Sequence, residues 1–251
     1  MIVLRSEDEI SSMRSAGKII KATFDLLRAH AKPGARTAEL DALARREILK
    51  RNGLPAFKGI KVGSREYPAN ICASVNEVVV HGIPSERALR EGDVLSIDIG
   101  VKFRDYYADA AITVGIGKIS EEAKELISVT EASLAKGIEK AVPGARLGDV
   151  SASIQKHVES HGFSVVRDLV GHGIGNSLWE DPQIPNYGRA GTGPRLASGM
   201  ALAIEPMVNA GAYEVETLED GWAVVTRDRR LSAHFEHTIV IREGGAEVLT
   251  A

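Results

Sequence analysis

The chain has 251 residues, room for one large domain or two small ones. Its 31 Lys and Arg against 34 Asp and Glu leave a formal charge of -3, which gives no electrostatic footprint for nucleic acid. No apolar run approaches the roughly 18 residues of a membrane span, and the start, MIVLRSEDEI, lacks the basic-then-apolar pattern of a secretory signal. The one cysteine, Cys72, excludes an intrachain disulfide and a thiolate zinc site, so a cytoplasmic protein without membrane contact is expected.

Taken in chain order, Ser6-x-x-Glu9 is a capping box that opens a helix. Ile10, Met13, Gly17, Ile20, Phe24 and Leu27 follow in steps of three and four, an apolar stripe on one helix face, and Pro33-Gly34 stops it. A second helix starts near Thr37, carries Leu40, Leu43 and Ile48, and ends at Asn52-Gly53. A β-rich segment comes next. Within it Val94 to Phe103 alternates, with Leu95, Ile97, Ile99 and Val101 on one face and Ser96, Asp98 and Gly100 on the other. Ser120 caps a third helix bearing Leu126, Ile127, Leu134 and Ile138, stopped by Pro143-Gly144. A fourth carries Leu147, Val150, Ile154 and Val158 and ends at Gly162, and a second β-rich segment follows.

Residues 31–36 read AKPGAR and residues 141–146 read AVPGAR, with the same helix, stop, helix order around each. This is an internal repeat, with halves about 6–115 and 116–251. The halves share one set of candidate ligands, which makes 1–251 a single domain. The predicted class is α+β: one curved, largely antiparallel sheet inside with two helix pairs outside.

Four carboxylates fall in runs that otherwise read as buried strand: Asp98 in LSIDIGV, Asp109 in YYADAAIT, Glu205 in MALAIEPMV and Glu236 in HFEHTIVI. A carboxylate in an apolar strand is costly unless a cation or hydrogen bonds compensate it. His172 adds an imidazole, from the Gly-rich GHGIG. If the chain reverses around Phe103-Arg104, Asp98 and Asp109 become direct cross-strand partners with Cβ atoms roughly 5 Å apart, an arrangement of like charges that calls for a metal between them.

Oxygen-rich ligation with one imidazole suits Mn, Fe, Co or Zn as divalent ions. Four carboxylates offset a total metal charge near +4, so two divalent metal ions are expected. At roughly 3.5–4 Å apart such a pair makes hydroxide available at neutral pH, which points to hydrolysis. Glu205, followed by Pro206, is the candidate for proton exchange. His81, at the end of NEVVVHGIP, is either a loop residue or an active-site donor. His157 and His161 are i, i+4, but HVESH is not HExxH, and their place in the last helical turns favours a solvated role. His30 reads the same way. His234 and His237 flank Glu236 without a clear assignment. GHGIG and RAGTGPRLASG lack the marks of nucleotide-binding loops and read as ordinary loops.

The motifs NEVVVHGIP, DVLSIDIG, YYADAAITV, GHGIG, IEPM and DGWAVVTRDRRLSAHFEHT together resemble type I methionine aminopeptidases, of the "pita-bread" metallopeptidase group, over nearly the whole chain. The resemblance implies a pita-bread fold and removal of N-terminal methionine from peptides and nascent polypeptides with a small second residue, by a monomer. It implies that Asp98 holds one metal, that Asp109 and Glu236 bridge, and that His172 and Glu205 complete the second site. It implies an oxyanion-type donor at His81. Tyr67, Cys72 and Trp222 match positions lining a methionine pocket. Two departures touch substrate binding. Trp179 stands where most members carry a second active-site histidine, and Ser64-Arg65-Glu66 precedes Tyr67 where the family often reads Tyr-His-Gly. Relatives that cleave before proline usually carry an extra N-terminal domain, which 251 residues would not hold.

Overall fold

A computed structural model describes residues 2–251. Helix α1 spans Glu7–His30, and both bonds of its capping box form: Glu9 N–H donates to the Ser6 hydroxyl and Ser6 N–H to the Glu9 carboxylate. Every residue of its predicted stripe is buried. Helix α2 (Thr37–Lys50) buries Leu40 and Ile48 and leaves Leu43 half-buried. Helices α3 (Glu121–Lys140) and α4 (Leu147–Ser160) repeat the arrangement, with Leu126, Leu134, Val150, Ile154 and Val158 buried.

The two Pro-Gly-Ala-Arg segments make the same backbone bonds. Gly34 N–H donates to Leu89 O and Leu89 N–H to Ala35 O; Gly144 N–H donates to Leu196 O and Leu196 N–H to Ala145 O. In each, the backbone N–H of the arginine that enters the second helix, Arg36 or Arg146, is capped by a carboxylate three residues on, Glu39 or Asp149. The motif therefore does two jobs. It ends one helix and pins the start of the next to a distant strand-like segment.

The central sheet has nine strands: β1 Leu54–Pro55, β2 Cys72–Val75, β3 Val94–Phe103, β4 Tyr106–Gly115, β5 Val170–Gly173, β6 Glu180–Pro185, β7 Ala201–Ile204, β8 Glu236–Arg242 and β9 Gly245–Val248. Its order is β1-β3-β4-β8-β7-β5-β6, with β2 paired to β3 and β9 to β8, all antiparallel. The fold is the pita-bread α+β type, with the sheet curled as a half-barrel.

Strand alternation separates core from site. Ile97, Ile99 and Val101 of β3 and Ala108, Ala110 and Ile112 of β4 join Ile20, Phe24 and Leu27 of α1 in the main core. Each such fully buried aliphatic side chain contributes about 1.5–3 kcal/mol relative to exposure. Asp98, Asp109 and Ala111 then point from the opposite face.

The β3–β4 register differs from expectation. The turn is at Arg104-Asp105, with Arg104 at φ 55, so Asp98 pairs with Ala111 and Asp109 with Gly100. The two acids are diagonal neighbours on one face and not directly opposed. A two-residue turn whose first residue has positive φ fits the twist of paired strands, and that geometry overrides the weak turn chemistry of Phe103-Arg104. No helix among the described residues is long and apolar enough to cross a membrane.

Candidate metal centre

Ala111 organises the middle of the site. It pairs with Asp98 on β3 and with Glu236 on β8, so two carboxylates flank one methyl group across three strands. Asp109 sits two residues back along β4, on the same face. The small side chain leaves open the space into which all three carboxylates project.

Threonines hold the β4–β8 seam, where only Glu236–Ala111 and His237–Ala110 pair. Beyond one end Thr238 Oγ1 donates to Asp109 O at 2.7 Å and accepts from Asp109 N–H at 2.9 Å. Beyond the other Thr113 Oγ1 donates to His234 O at 2.7 Å and accepts from His234 N–H at 2.9 Å. Each hydroxyl thus continues the ladder in the same register.

His172 and Glu205 arrive from the other half of the sheet. His172 lies on β5 and pairs with Ala203 of β7. GHGIG is therefore half strand, not the loop expected of it. The glycines are there for close approach: a Cβ at Gly171 would collide with Ala203 O, and one at Gly173 with Asp181 O. Glu205 was expected within a strand. It lies just beyond the end of β7, because Pro206 has no N–H to continue the ladder. Its carbonyl accepts from Asn186 Nδ2 at 2.9 Å.

The polar atoms converge. Ligand atoms of Asp109, His172 and Glu236 all lie within 4.8 Å of one another. His172 Nε2 is 3.7 Å from Glu205 Oε1. His172 Nδ1 is 2.8 Å from Gly173 O, which places the proton on Nδ1 and leaves the Nε2 lone pair facing the carboxylates. Asp98 Oδ1, Asp109 Oδ1 and Glu236 Oε1 are buried and have no hydrogen-bond partner among the described residues. Burial, and then the neighbouring acids, push the carboxyls of Asp98, Glu205 and Glu236 well above the usual range; burial pushes Asp109 up to about 7. Partnerless carboxylate oxygens beside a free imidazole nitrogen fit a divalent first-row cation, which would replace the missing partners. Asp98, Asp109, His172, Glu205 and Glu236 are the residues that could hold it.

These five line a cavity of about 710 Å³ together with His81, Tyr67, Cys72, Trp179 and Trp222. His81 follows the short strand Val78–Val80 at φ 59, and burial lowers its proton affinity. Tyr67 lies edge-on to Trp222, with centroids 5.1 Å apart, and its hydroxyl turns away to Gly82 O at 3.0 Å and Ile71 O at 3.1 Å. Cys72 pairs directly with Asp98 across β2 and β3. Trp179 is half exposed at the rim.

Sequence reasoning left His234 unassigned. It is 1% exposed, with Nε2 3.5 Å from Glu205 Oε2. The available signal was its two-residue spacing from Glu236. His237 points elsewhere, its Nδ1 2.8 Å from the Thr250 hydroxyl oxygen. His157 and His161 pack ring to ring near the end of α4 and do not line the cavity, and His30 is exposed at the end of α1.

Four acids and one imidazole converge beneath a cavity, a donor set of the kind that can hold divalent metal in a hydrolase. The chain belongs to metallopeptidase family M24, whose model matches residues 11–243. It is 54% identical to a methionine aminopeptidase from Clostridium acetobutylicum, over 100% of this chain and 99% of that protein. The crystal structure of a methionine aminopeptidase from Thermotoga maritima superposes with a TM-score of 0.96 at 47% identity, covering 100% of this chain and 99% of that one. A prolidase from Pyrococcus furiosus shares the fold, with a TM-score of 0.77 at 20% identity; this chain covers 65% of its length.

Proposed function

We propose that this chain is a methionine aminopeptidase that acts on peptide and nascent-polypeptide N-termini with a small second residue. The observation that carries the reading is the convergence of Asp98, Asp109, His172, Glu205 and Glu236 under a cavity walled by Tyr67, Cys72 and Trp222. Full-length similarity to proteins of that name supports it. Asp98, Asp109, His172, Glu205 and Glu236 would together hold the two divalent ions of this reading. Bound there, such ions supply Lewis acidity and lower the proton affinity of water at neutral pH.

The chain's own groups do the rest. Glu205 accepts a proton on a carboxyl oxygen and returns it to the departing amine. His81 donates a hydrogen bond to the scissile carbonyl as negative charge develops there. Tyr67, Cys72 and Trp222 enclose the methionine side chain, whose flexible thioether suits an aromatic wall. Every group of the site comes from one chain, which supports a monomeric active unit of one domain, built of halves about 6–115 and 116–251.

Trp179 stands at the rim where an imidazole is the usual family residue. An indole donates one hydrogen bond and cannot carry a proton. Its bulk narrows the space for the second residue. The decisive experiment is to incubate the metal-loaded protein with Met-Ala-Ser, Met-Leu-Ser and Ala-Pro-Ser and to identify the amino acid released. Methionine from the first peptide is expected. Alanine from Ala-Pro-Ser without methionine from the others would overturn the reading. Trp179→His is expected to raise kcat/KM about tenfold, or about 1.4 kcal/mol of transition-state binding. A loss of activity would show instead that the indole is an adapted part of the pocket.

A further inference from the structure

Arg5 precedes α1 and does not line the cavity, yet it is only 7% exposed. A guanidinium cannot shed its charge, so burial is tolerable only with partners of good geometry. Arg5 is held from behind: its N–H donates to Gly199 O at 2.8 Å, and neighbouring Leu4 bridges to Met200. Glu9, one turn into α1, lies 3.7 Å from Nη1 and is itself fixed by the Tyr106 hydroxyl at 2.8 Å.

The other end of Arg5 grips the segment between β5 and β6. Nη1 donates to Asn176 Oδ1 and Nη2 to the Glu180 carboxylate. Gly175 lies against the guanidinium so closely that a Cβ there would collide with it. The same segment carries Trp179, 51% exposed, and residues 179 to 181 line the cavity. Besides Arg5, the anchors of this stretch include Tyr107 N–H to Gly175 O at 2.8 Å, the pairing of Glu180 with Gly173 where β6 begins, a hydrogen bond between the Tyr106 hydroxyl and Asn176, local bonds such as Ser177 N–H to Glu180 Oε1 at 3.0 Å, and the buried Leu178. The indole has a bulky ring at the rim, and its position depends on the backbone on either side of it.

We propose that Arg5 is a positioning residue for Trp179. By holding Asn176 and Glu180, which bracket the tryptophan, it fixes the indole at the rim and so sets the room for the residue after the N-terminal methionine. This rests on the aminopeptidase reading above and names the element that enforces second-residue selectivity. The guanidinium suits the task because its planar fork binds two acceptors at once; an ammonium binds as a point charge.

The test uses Arg5→Met, which keeps an unbranched apolar stem and removes the fork. Two readouts are taken on metal-loaded enzyme: kcat and KM for Met-Ala-Ser and Met-Leu-Ser, and the fluorine NMR lines of protein labelled with 5-fluorotryptophan, assigned with Trp179→Phe. In the variant, kcat on Met-Ala-Ser is expected to stay within about twofold of wild type. The preference for Met-Ala-Ser over Met-Leu-Ser should fall about tenfold, chiefly through KM. The Trp179 line should shift or broaden while the Trp222 line stays. Arg5→Lys should fall between. A folded Arg5→Met protein with unchanged preference and an unchanged Trp179 line would overturn the proposal. If Arg5→Met does not fold, Asn176→Ala removes one partner from the segment side, and the same two results decide. Wild-type protein that releases no methionine from either peptide would overturn the aminopeptidase reading alone, and the fluorine line would still decide whether Arg5 holds Trp179.

Discussion

Four carboxyls share one buried face, and each holds its proton more tightly than it would in water: burial raises all four, and neighbouring acids raise Asp98, Glu205 and Glu236 further. Neutral amides at these positions remove a carboxylate without changing shape. Asp98→Asn is expected to lower bound metal below the wild-type stoichiometry in elemental analysis, since an amide neutralises none of the metal charge. Glu205→Gln and His81→Ala should each lower kcat by roughly 10²-fold or more, read on a Met-Ala peptide; a variant with wild-type kcat/KM would remove that residue from the mechanism. The acids were legible in the sequence because a charge in an apolar alternation stands out. His234 was not, because its approach to Glu205 depends on where β7 breaks at Pro206 and on Thr113 holding its backbone. An imidazole beside an apolar strand carries no such alarm.

At the level of elements, alternation and stop signals were readable, and register was not. The helix pairs begin and end where Ser6, Ser120, Pro33-Gly34 and Pro143-Gly144 put them. The β3–β4 pairing moved because a two-residue turn at Arg104-Asp105 is set by backbone twist, to which the hydrophobic pattern is blind: either centre keeps Asp98 and Asp109 on one face. The seam between β4 and β8 was also invisible, since it is built from threonine hydroxyls in place of backbone pairs. It can be tested directly. Thr238→Val keeps the shape and removes both bonds to the Asp109 backbone. Leaving that buried N–H and C=O unpaired should cost about 1–3 kcal/mol, read as a lower midpoint in urea. Metal affinity by calorimetry should fall with it, because Asp109 and Glu236 are diagonal neighbours across that seam.

For the molecule as a whole, the cation-free site opposes the fold. Asp109 is pushed up to about 7 from an ordinary 3.8. A group whose folded value is raised contributes stability that is fully present below the unfolded value and lost as pH rises through the folded one. Above about pH 7 the metal-free protein therefore carries the full penalty of an ionised, buried carboxylate. The buried histidines act in the opposite sense: His234, depressed to about 3, and His237, to about 4, cost stability as pH falls below the ordinary 6.5. The pH profile of wild type alone mixes the two, so the difference between two proteins is the clean measure. Asp109→Asn removes one carboxyl and leaves the histidines in place. In the presence of chelator, the melting temperature of Asp109→Asn minus that of wild type should move in the variant's favour as pH rises from about 4 through 7, the more so because the amide also relieves Asp98, Glu205 and Glu236 of a neighbouring charge. Scanning calorimetry at several pH values checks it. Adding Mn²⁺ or Co²⁺ should reverse the order at neutral pH, because ligand that binds only the native state stabilises it by about 2.7 kcal/mol at a hundred times Kd, and wild type alone keeps the full ligand set. A melting-temperature difference that does not vary with pH would mean that Asp109 does not titrate as a buried carboxyl whose Oδ1 lacks a hydrogen-bond partner.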